Sequence, residues 1–221
     1  MTRCFVVIRV PYGQRRVKIQ SSLQPLASAR SDCLSSGVVR IIGGIYRGRR
    51  LRAVEGLAVR PTSDRLRETL FNILAPRVEG SRFLDICAGS GAVGLEALSR
   101  GASEATLIDN SSRACSVIEA NLRALGIKRE ASVINRDATA ALKRLAEESK
   151  QFDIAFLDPP YASGIYAAVM HTLATTGLLS NDSIVIVEHR AKVPPETEYD
   201  GLRLFREVKQ GESAIAFYKN Q

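Results

Sequence analysis

The chain reads as an α/β protein built on a doubly wound, mostly parallel sheet of seven strands, and three features of the sequence predict this. Between residues 82 and 188, short apolar runs rich in β-branched residues alternate with segments of helical period, the pattern of strands joined by helical crossovers. A glycine-rich turn, Ala88-Gly89-Ser90-Gly91, joins the first run to its helix, and an acid, Asp109, ends the next run. The last two runs are separated only by a short turn at Gln210-Gly211, so they form a hairpin and the final strand is antiparallel.

Residues 1–37 carry Arg3, Arg9, Arg15, Arg16, Lys18 and Arg30, six serines and the single acid Asp32, without a sustained strand or helix period. This is expected to be a poorly ordered extension, either an artefact of start assignment, a cleaved organellar targeting peptide or an additional RNA-binding arm. Residues 38–60 contain short apolar runs broken by Gly43, Gly44, Gly48 and Gly56 and studded with arginine, which predicts a small basic β-hairpin element. Residues 61–221 form the main domain. Its first helix spans Pro61 to Leu74, with Leu66, Leu70, Ile73 and Leu74 on one face and Ser63 or Asp64 as cap.

The alternation then runs strand Arg82–Cys87, helix from Ala92 to the stop at Gly101, strand Ala105–Asp109, and helix Ser112–Leu125 with Gly126 as stop. Strand Ala131–Asn135, helix Ala138–Glu148, strand Phe152–Leu157, helix Ile165–Thr175 and strand Ser183–Glu188 follow. The hairpin pairs Leu202–Val208 with Ser213–Tyr218.

With 45% hydrophobic and 24% charged residues in 221, the chain has enough apolar surface for one domain and is not disordered throughout. No run approaches the roughly 20 apolar residues of a membrane-spanning helix, so no membrane partner is expected. Cys4, Cys33, Cys87 and Cys115 form no C-x-x-C pair, and the two histidines stand apart. That favours a reducing compartment and no metal site. The net charge of +8 is concentrated at one end: residues 1–67 carry +11 and the remainder −3. A basic N-terminal element on an otherwise near-neutral body points to a polyanion, nucleic acid first among them.

The chemistry lies at two strand ends. Glycines at 89 and 91 let the backbone turn sharply and approach a ligand, and Asp109, 20 residues after Gly89, can receive ribose hydroxyls. A nucleotide-type cofactor follows. Asp85, on the strand just before the loop, would repel a pyrophosphate but suits an ammonium group, which favours S-adenosylmethionine over a dinucleotide. The second motif, Asp158-Pro159-Pro160-Tyr161, sits where open α/β sheets bind ligands. Two prolines stiffen the turn so that the Asp158 carboxylate and the Pro159 carbonyl can accept hydrogens from one exocyclic amine, while Tyr161 stacks on a flipped base.

Together, D-P-P-Y after a D-x-x-x-G-S-G loop resembles the class I S-adenosylmethionine-dependent amino-methyltransferases, with their Rossmann-like sheet. More closely, Arg40-Ile41-Ile42-Gly43-Gly44, Arg47-Gly48-Arg49, Arg60-Pro61-Thr62, the run Asp64 to Asn72 and Ala88 to Ala92 resemble the bacterial 16S rRNA guanine-N2 methyltransferases of the RsmD type. The likeness covers about residues 39–221. It implies methylation of guanine 966 of 16S rRNA, S-adenosylmethionine as cofactor, a cytoplasmic monomer, and 16S rRNA or the small ribosomal subunit as partner. An organellar location follows instead if residues 1–37 are a transit peptide.

Carried over position by position, the likeness places the methionine end of the cofactor at Asp85, Ala88, Gly89 and Gly91. It puts the ribose at Asp109, where many relatives have glutamate, and the adenine amine at Asp137, whose alternative role is to cap the next helix. Asp158, Pro159 and Tyr161 take the catalytic positions. Arg47, Arg49, Arg50, Arg60, Arg65 and Arg67 are the expected RNA contacts. His171 and His189 are expected to be structural, since methyl transfer from a sulfonium requires no histidine base. An amino-methyltransferase of DNA or another RNA shares the two motifs and remains the rival. A nicotinamide dehydrogenase is opposed by Asp85 and D-P-P-Y, and a noncatalytic RNA-binding module by the intact cofactor loop.

Overall fold

Residues 39–54, 64–160 and 164–220 are described by the computed structural model. The expectations for the 1–37 extension, the 55–60 end of the basic element, Arg60, the Ser63 cap and Tyr161 lie outside these residues.

The main domain follows the predicted alternation. Helix α1 (Asp64–Val78) precedes β1 (Arg82–Ile86), α2 (Ala92–Ser99), β2 (Glu104–Asp109), α3 (Ser112–Leu125), β3 (Ala131–Asn135), α4 (Ala138–Glu147) and β4 (Phe152–Leu157). The chain continues through α5 (Tyr166–Thr175), β5 (Leu179–Arg190), β6 (Glu198–Tyr199), β7 (Leu202–Gln210) and β8 (Ser213–Asn220). The strands form one sheet in the order β3-β2-β1-β4-β5-β8-β7-β6. β1 pairs in parallel with both β2 and β4, whereas β8 joins β5 antiparallel, as the hairpin requires. The seven expected strands are present, with a two-residue eighth, β6, too short to leave a strand signature in sequence. Helix α1 runs past Leu74 and through Pro76 to bury Val78, and the proline removes one i→i−4 hydrogen bond near the end of the helix.

Strand order reverses at β1, so the crossovers to β2 and β4 depart to opposite sides and open a crevice at the carboxyl ends of these strands. Central strands are buried on both faces. Ile154 and Phe156 of β4 join the core under α1, α2 and α3, while Ala155 and Leu157 join the core under α4 and α5. This two-sided burial explains why the strands read as continuous apolar runs without alternation.

The basic element differs from expectation. In its described part, residues 39–54, the hairpin is reduced to one antiparallel bridge, Arg40 with Arg50, around a tight turn. It is no appendage: Val39, Ile41 and Leu51 are buried in the same core as Leu66 and Leu70 of α1. The two limbs exchange hydrogen bonds from Ile41 N–H to Arg49, Gly48 N–H to Ile41 and Leu51 N–H to Val39, and helix α2 adds more. The Ile42 and Gly43 N–H groups donate to the Glu96 carboxylate at 2.7 Å each, and the Ile45 N–H donates to the Ser99 carbonyl at 2.8 Å. Gly44, at φ 75°, lies so close to α2 that a Cβ would overlap the Ser99 carbonyl.

Candidate cofactor and catalytic site

Beyond β1 the backbone enters the left-handed region three times in five residues, at Cys87 (φ 64°), Gly89 (φ 55°) and Gly91 (φ 76°). The loop folds back on itself. Ala88 N–H donates to the Ile108 carbonyl at the end of β2, and Gly91 N–H to the Ala88 carbonyl. The two glycines do different work. A Cβ on Gly91 would lie 3.1 Å from Leu107 and 3.2 Å from Ile118, so Gly91 lets α2 start against β2 and α3. A Cβ on Gly89 would meet nothing within 4 Å, so Gly89 is the glycine on the open side of the loop.

Four of the expected carboxylates converge here. Asp85 is 2% exposed, and its Oδ2 accepts the Gly94 N–H at 2.8 Å. Gly94 has no Cβ to hold the helix off: one would lie 3.1 Å from that same oxygen. Burial pushes the Asp85 carboxyl up to about 7, and Asp109 pushes the same way, while the Gly94 hydrogen bond opposes them. Asp109 accepts the N–H of Gly89 at 2.8 Å through one oxygen and that of Ser111 at 2.9 Å through the other. Asp109 thus fixes the shape of the loop. Asp137 is exposed, and its Oδ1 accepts the Ala140 N–H at 3.0 Å, capping α4. Asp158 follows β4, and its N–H donates to the Ile86 carbonyl at 3.3 Å, one step beyond the last β1–β4 pair.

Cys87 sits among all four acids. Burial first, then Asp109, Asp158, Asp85 and Asp137, push its thiol up to about 12. A neutral thiol amid carboxylates is a poor nucleophile, so Cys87 packs beside the loop and does not react. The surrounding field is anionic. It opposes a pyrophosphate and favours a cationic ligand such as an ammonium or sulfonium group, consistent with the open face at Gly89 and the half-buried Asp109. Pro159 is buried and Asp158 half-buried at the lip of this crevice.

The expected RNA contacts separate into two groups. Arg47, Arg49, Arg50 and Arg65 are exposed. Arg49 spends one guanidinium nitrogen on the Ala124 carbonyl, at 2.8 Å. Arg67 is corrected: at 1% exposure it cannot meet RNA. One of its terminal nitrogens donates to the Arg40 carbonyl at 2.6 Å and to Asp64 at 2.9 Å, and its Nε lies 4.0 Å from Glu96. The physical reason is helical spacing, because Arg67 falls one residue after Leu66 and three before Leu70 and turns inward with them. The turn bearing Arg47 packs at Ser99, the far end of α2 from the cofactor loop, about 12 Å away at 1.5 Å per residue.

Sequence reasoning missed two polar side chains that tie these parts together. Glu96, fully buried, accepts the two N–H groups of the basic turn and the Arg100 guanidinium at 2.7 Å. Asn121, 1% exposed, accepts the Arg52 N–H at 2.8 Å and donates to the carbonyls of Arg52 at 3.1 Å and of Ser90 in the cofactor loop at 3.0 Å. An acid alone in the apolar helix Ala92–Ser99 was a readable signal; Asn121 left none. His171 bonds Asp200 on the surface, and buried His189 bonds the Arg190 carbonyl. Among the described residues no three potential ligands come together to hold a metal, and no helix is long and apolar enough to cross a membrane.

A family model described as "Conserved hypothetical protein 95" matches residues 39–219. The chain is 39% identical over 194 residues to "Ribosomal RNA small subunit methyltransferase D" of Escherichia coli, covering 80% of this chain and 94% of that protein. It is 35% identical over 187 residues to the protein of the same name from Haemophilus influenzae, covering 84% and 96%. The solved structure of yhhF from Escherichia coli superposes with a TM-score of 0.73 at 36% identity, covering 84% of this chain and 99% of that one.

Proposed function

The chain belongs to the family described as conserved hypothetical protein 95, and from that membership we propose that it is an rRNA methyltransferase of the small ribosomal subunit. In the finer reading, the acceptor is the exocyclic N2 amine of a guanine in 16S rRNA, of the position-966 type. The observation that supports it is the convergence of Asp85, Asp109, Asp137 and Asp158 around Cys87, an anionic crevice with Asp158 and Pro159 at its lip.

S-adenosylmethionine, when bound, supplies a sulfonium methyl group. Asp85 neutralises the amino acid end, Ala88 and Gly89 leave room for the chain, Asp109 receives the ribose hydroxyls, and Asp137 has a second carboxylate oxygen for the adenine amine. Gly91 contributes by setting the start of α2. Asp158 and the Pro159 carbonyl accept the two hydrogens of the guanine amine, which holds the nitrogen lone pair out of conjugation and toward the methyl. As the nitrogen–carbon bond forms and the sulfur–carbon bond breaks, Asp158 stabilises the positive charge that develops on nitrogen, and one proton leaves toward it. Tyr161 stacks on the base. Arg47, Arg49, Arg50, Arg60 and Arg65 hold the RNA backbone.

The partner is 16S rRNA or the small-subunit particle, and the protein works as a cytoplasmic monomer. Transfer of labelled methyl onto small subunits from a strain lacking the activity, followed by nucleoside analysis, tests the whole reading. N2-methylguanosine at one position is expected. Label on adenosine, on cytidine or on DNA alone would overturn it in favour of the rival amino-methyltransferase.

A further inference from the structure

We propose that Asn121 positions the cofactor loop by holding the Ser90 carbonyl, and that the basic segment directs this grip by fixing which way the Asn121 amide faces. The proposal rests on the reading that the loop seats S-adenosylmethionine. It adds a residue of α3 on which cofactor affinity depends.

The loop does not hold its own shape. Gly89 and Gly91 stand at positive φ, 55° and 76°, and the peptide between Ser90 and Gly91 can rotate against a glycine at little steric cost. Two side chains oppose that freedom. Asp109 accepts the Gly89 N–H at 2.8 Å, and Asn121 Nδ2 donates to the Ser90 carbonyl at 3.0 Å. The other end of the same peptide is held as well, because the Gly91 N–H donates to the Ala88 carbonyl at 2.7 Å. Asp109 and Asn121 thus bracket residues 89–91, and any rotation of the peptide after Ser90 breaks the Asn121 bond.

Asn121 lies on the inner face of α3, three residues after Ile118 and beside Leu122, where an apolar side chain would pack better. A buried amide at such a place costs stability unless its hydrogen bonds are made. Its Oδ1 accepts the Arg52 N–H at 2.8 Å, and its Nδ2 donates to the Arg52 carbonyl at 3.1 Å as well as to Ser90. This pairing decides the orientation of the amide. Turned over, its NH2 would face the Arg52 N–H and its oxygen would face two carbonyls. Arg52 therefore aims Nδ2 at the loop. Arg52 is fixed in turn by its neighbour Leu51, which is buried in the core and donates its N–H to the Val39 carbonyl at 2.8 Å. The basic segment is in this way a support of the cofactor loop.

The test compares Asn121→Asp, Asn121→Ser and Leu173→Ala in the full chain. Asn121→Asp keeps the size and the acceptor for Arg52 but turns an oxygen toward the Ser90 carbonyl, and Asn121→Ser withdraws the long donor without adding charge. Leu173→Ala opens a cavity in the core on the opposite side of the sheet from α3, and serves as the control for instability alone. Urea unfolding shows that each protein is folded at the assay temperature, and calorimetry with S-adenosylmethionine reads affinity. Both Asn121 variants are expected to bind at least about 10-fold more weakly than the wild type, the scale of one buried carbonyl left without its donor. In methyl transfer the cofactor KM rises with this loss while kcat at saturating cofactor changes little. Leu173→Ala is expected to bind as the wild type does. In the wild type itself, the NMR signal of the Asn121 side-chain amide is expected to shift when S-adenosylmethionine is added. Wild-type affinity in a folded Asn121 variant, a loss of affinity in Leu173→Ala that matches its loss of stability, or an unmoved amide signal overturns the assignment. Failure of the wild type to bind S-adenosylmethionine overturns the underlying reading instead.

Discussion

Replacing Asp85 with asparagine separates what the site costs the fold from what it gives the ligand. The Asp85 carboxyl is raised from 3.8 to about 7, chiefly by burial, because the single Gly94 hydrogen bond does not replace the water it loses. A tenfold change in proton affinity corresponds to about 1.4 kcal/mol, so ionised Asp85 weighs against the folded state by about 4 kcal/mol. Since the folded protein holds this proton more tightly than the unfolded chain, stability from this group is fullest below pH 4. It declines as pH rises toward 7 and is flat above. Asparagine keeps the acceptor for Gly94 and carries no charge. Urea unfolding of the two proteins from pH 4 to 8.5 measures the difference, with the other carboxylates cancelling because both proteins contain them. Asp85→Asn is expected to gain on the wild type by up to about 4 kcal/mol between pH 4 and pH 8, while calorimetry shows its affinity for S-adenosylmethionine lost. A stability difference that does not change with pH would refute the argument.

The other outcomes follow from the same geometry. Asp158→Ala is expected to lower kcat by about 100-fold or more while changing cofactor affinity little, and Tyr161→Phe to be far milder than Tyr161→Ala; single-turnover rates and calorimetry check both. Gly89→Val is expected to lose cofactor affinity and some stability, because valine is strained at φ 55°, whereas Gly91→Val adds crowding of Leu107 and Ile118 to the same strain and loses more stability; thermal melts with and without cofactor rank them. Changing Arg47, Arg49 and Arg50 to alanine is expected to flatten the salt dependence of RNA binding by about two units in log–log slope. Arg67→Met is expected to leave that slope unchanged and to cost about 1–3 kcal/mol in urea unfolding, because the Arg40 carbonyl and Asp64 lose their donor while Glu96 keeps Arg100.

Much of the main domain was legible because its strands are bounded by unambiguous stops. Gly126 ends α3 with φ 79°, and Asp109 and Leu157 end their strands where they were expected to. The positions of Asp109 and Asp137 were legible too, since one ends a strand and the other caps a helix as the pattern expects. Arg67 was not, because one arginine in a row of three looks the same whether it faces solvent or the core; only the partners Arg40, Asp64 and Glu96, distant in sequence or on another helix, decide. The basic element misled for a related reason. Its glycines read as turns between paired strands, but Gly43 and Gly44 serve approach to a helix that lies more than 50 residues later.

The bonds from the basic turn to α2 and α3 also govern the order in which the chain can be assembled. Ile42 waits for Glu96, 54 residues on, Arg52 for Asn121, 69 residues on, and Arg49 for Ala124, 75 residues on. During synthesis the segment made early therefore leaves the ribosome with nothing to dock on, and it settles only after β1, α2, β2 and α3 have formed behind it. The buried carboxylate of Glu96 is thus an acceptor that arrives late and withdraws the turn into the fold.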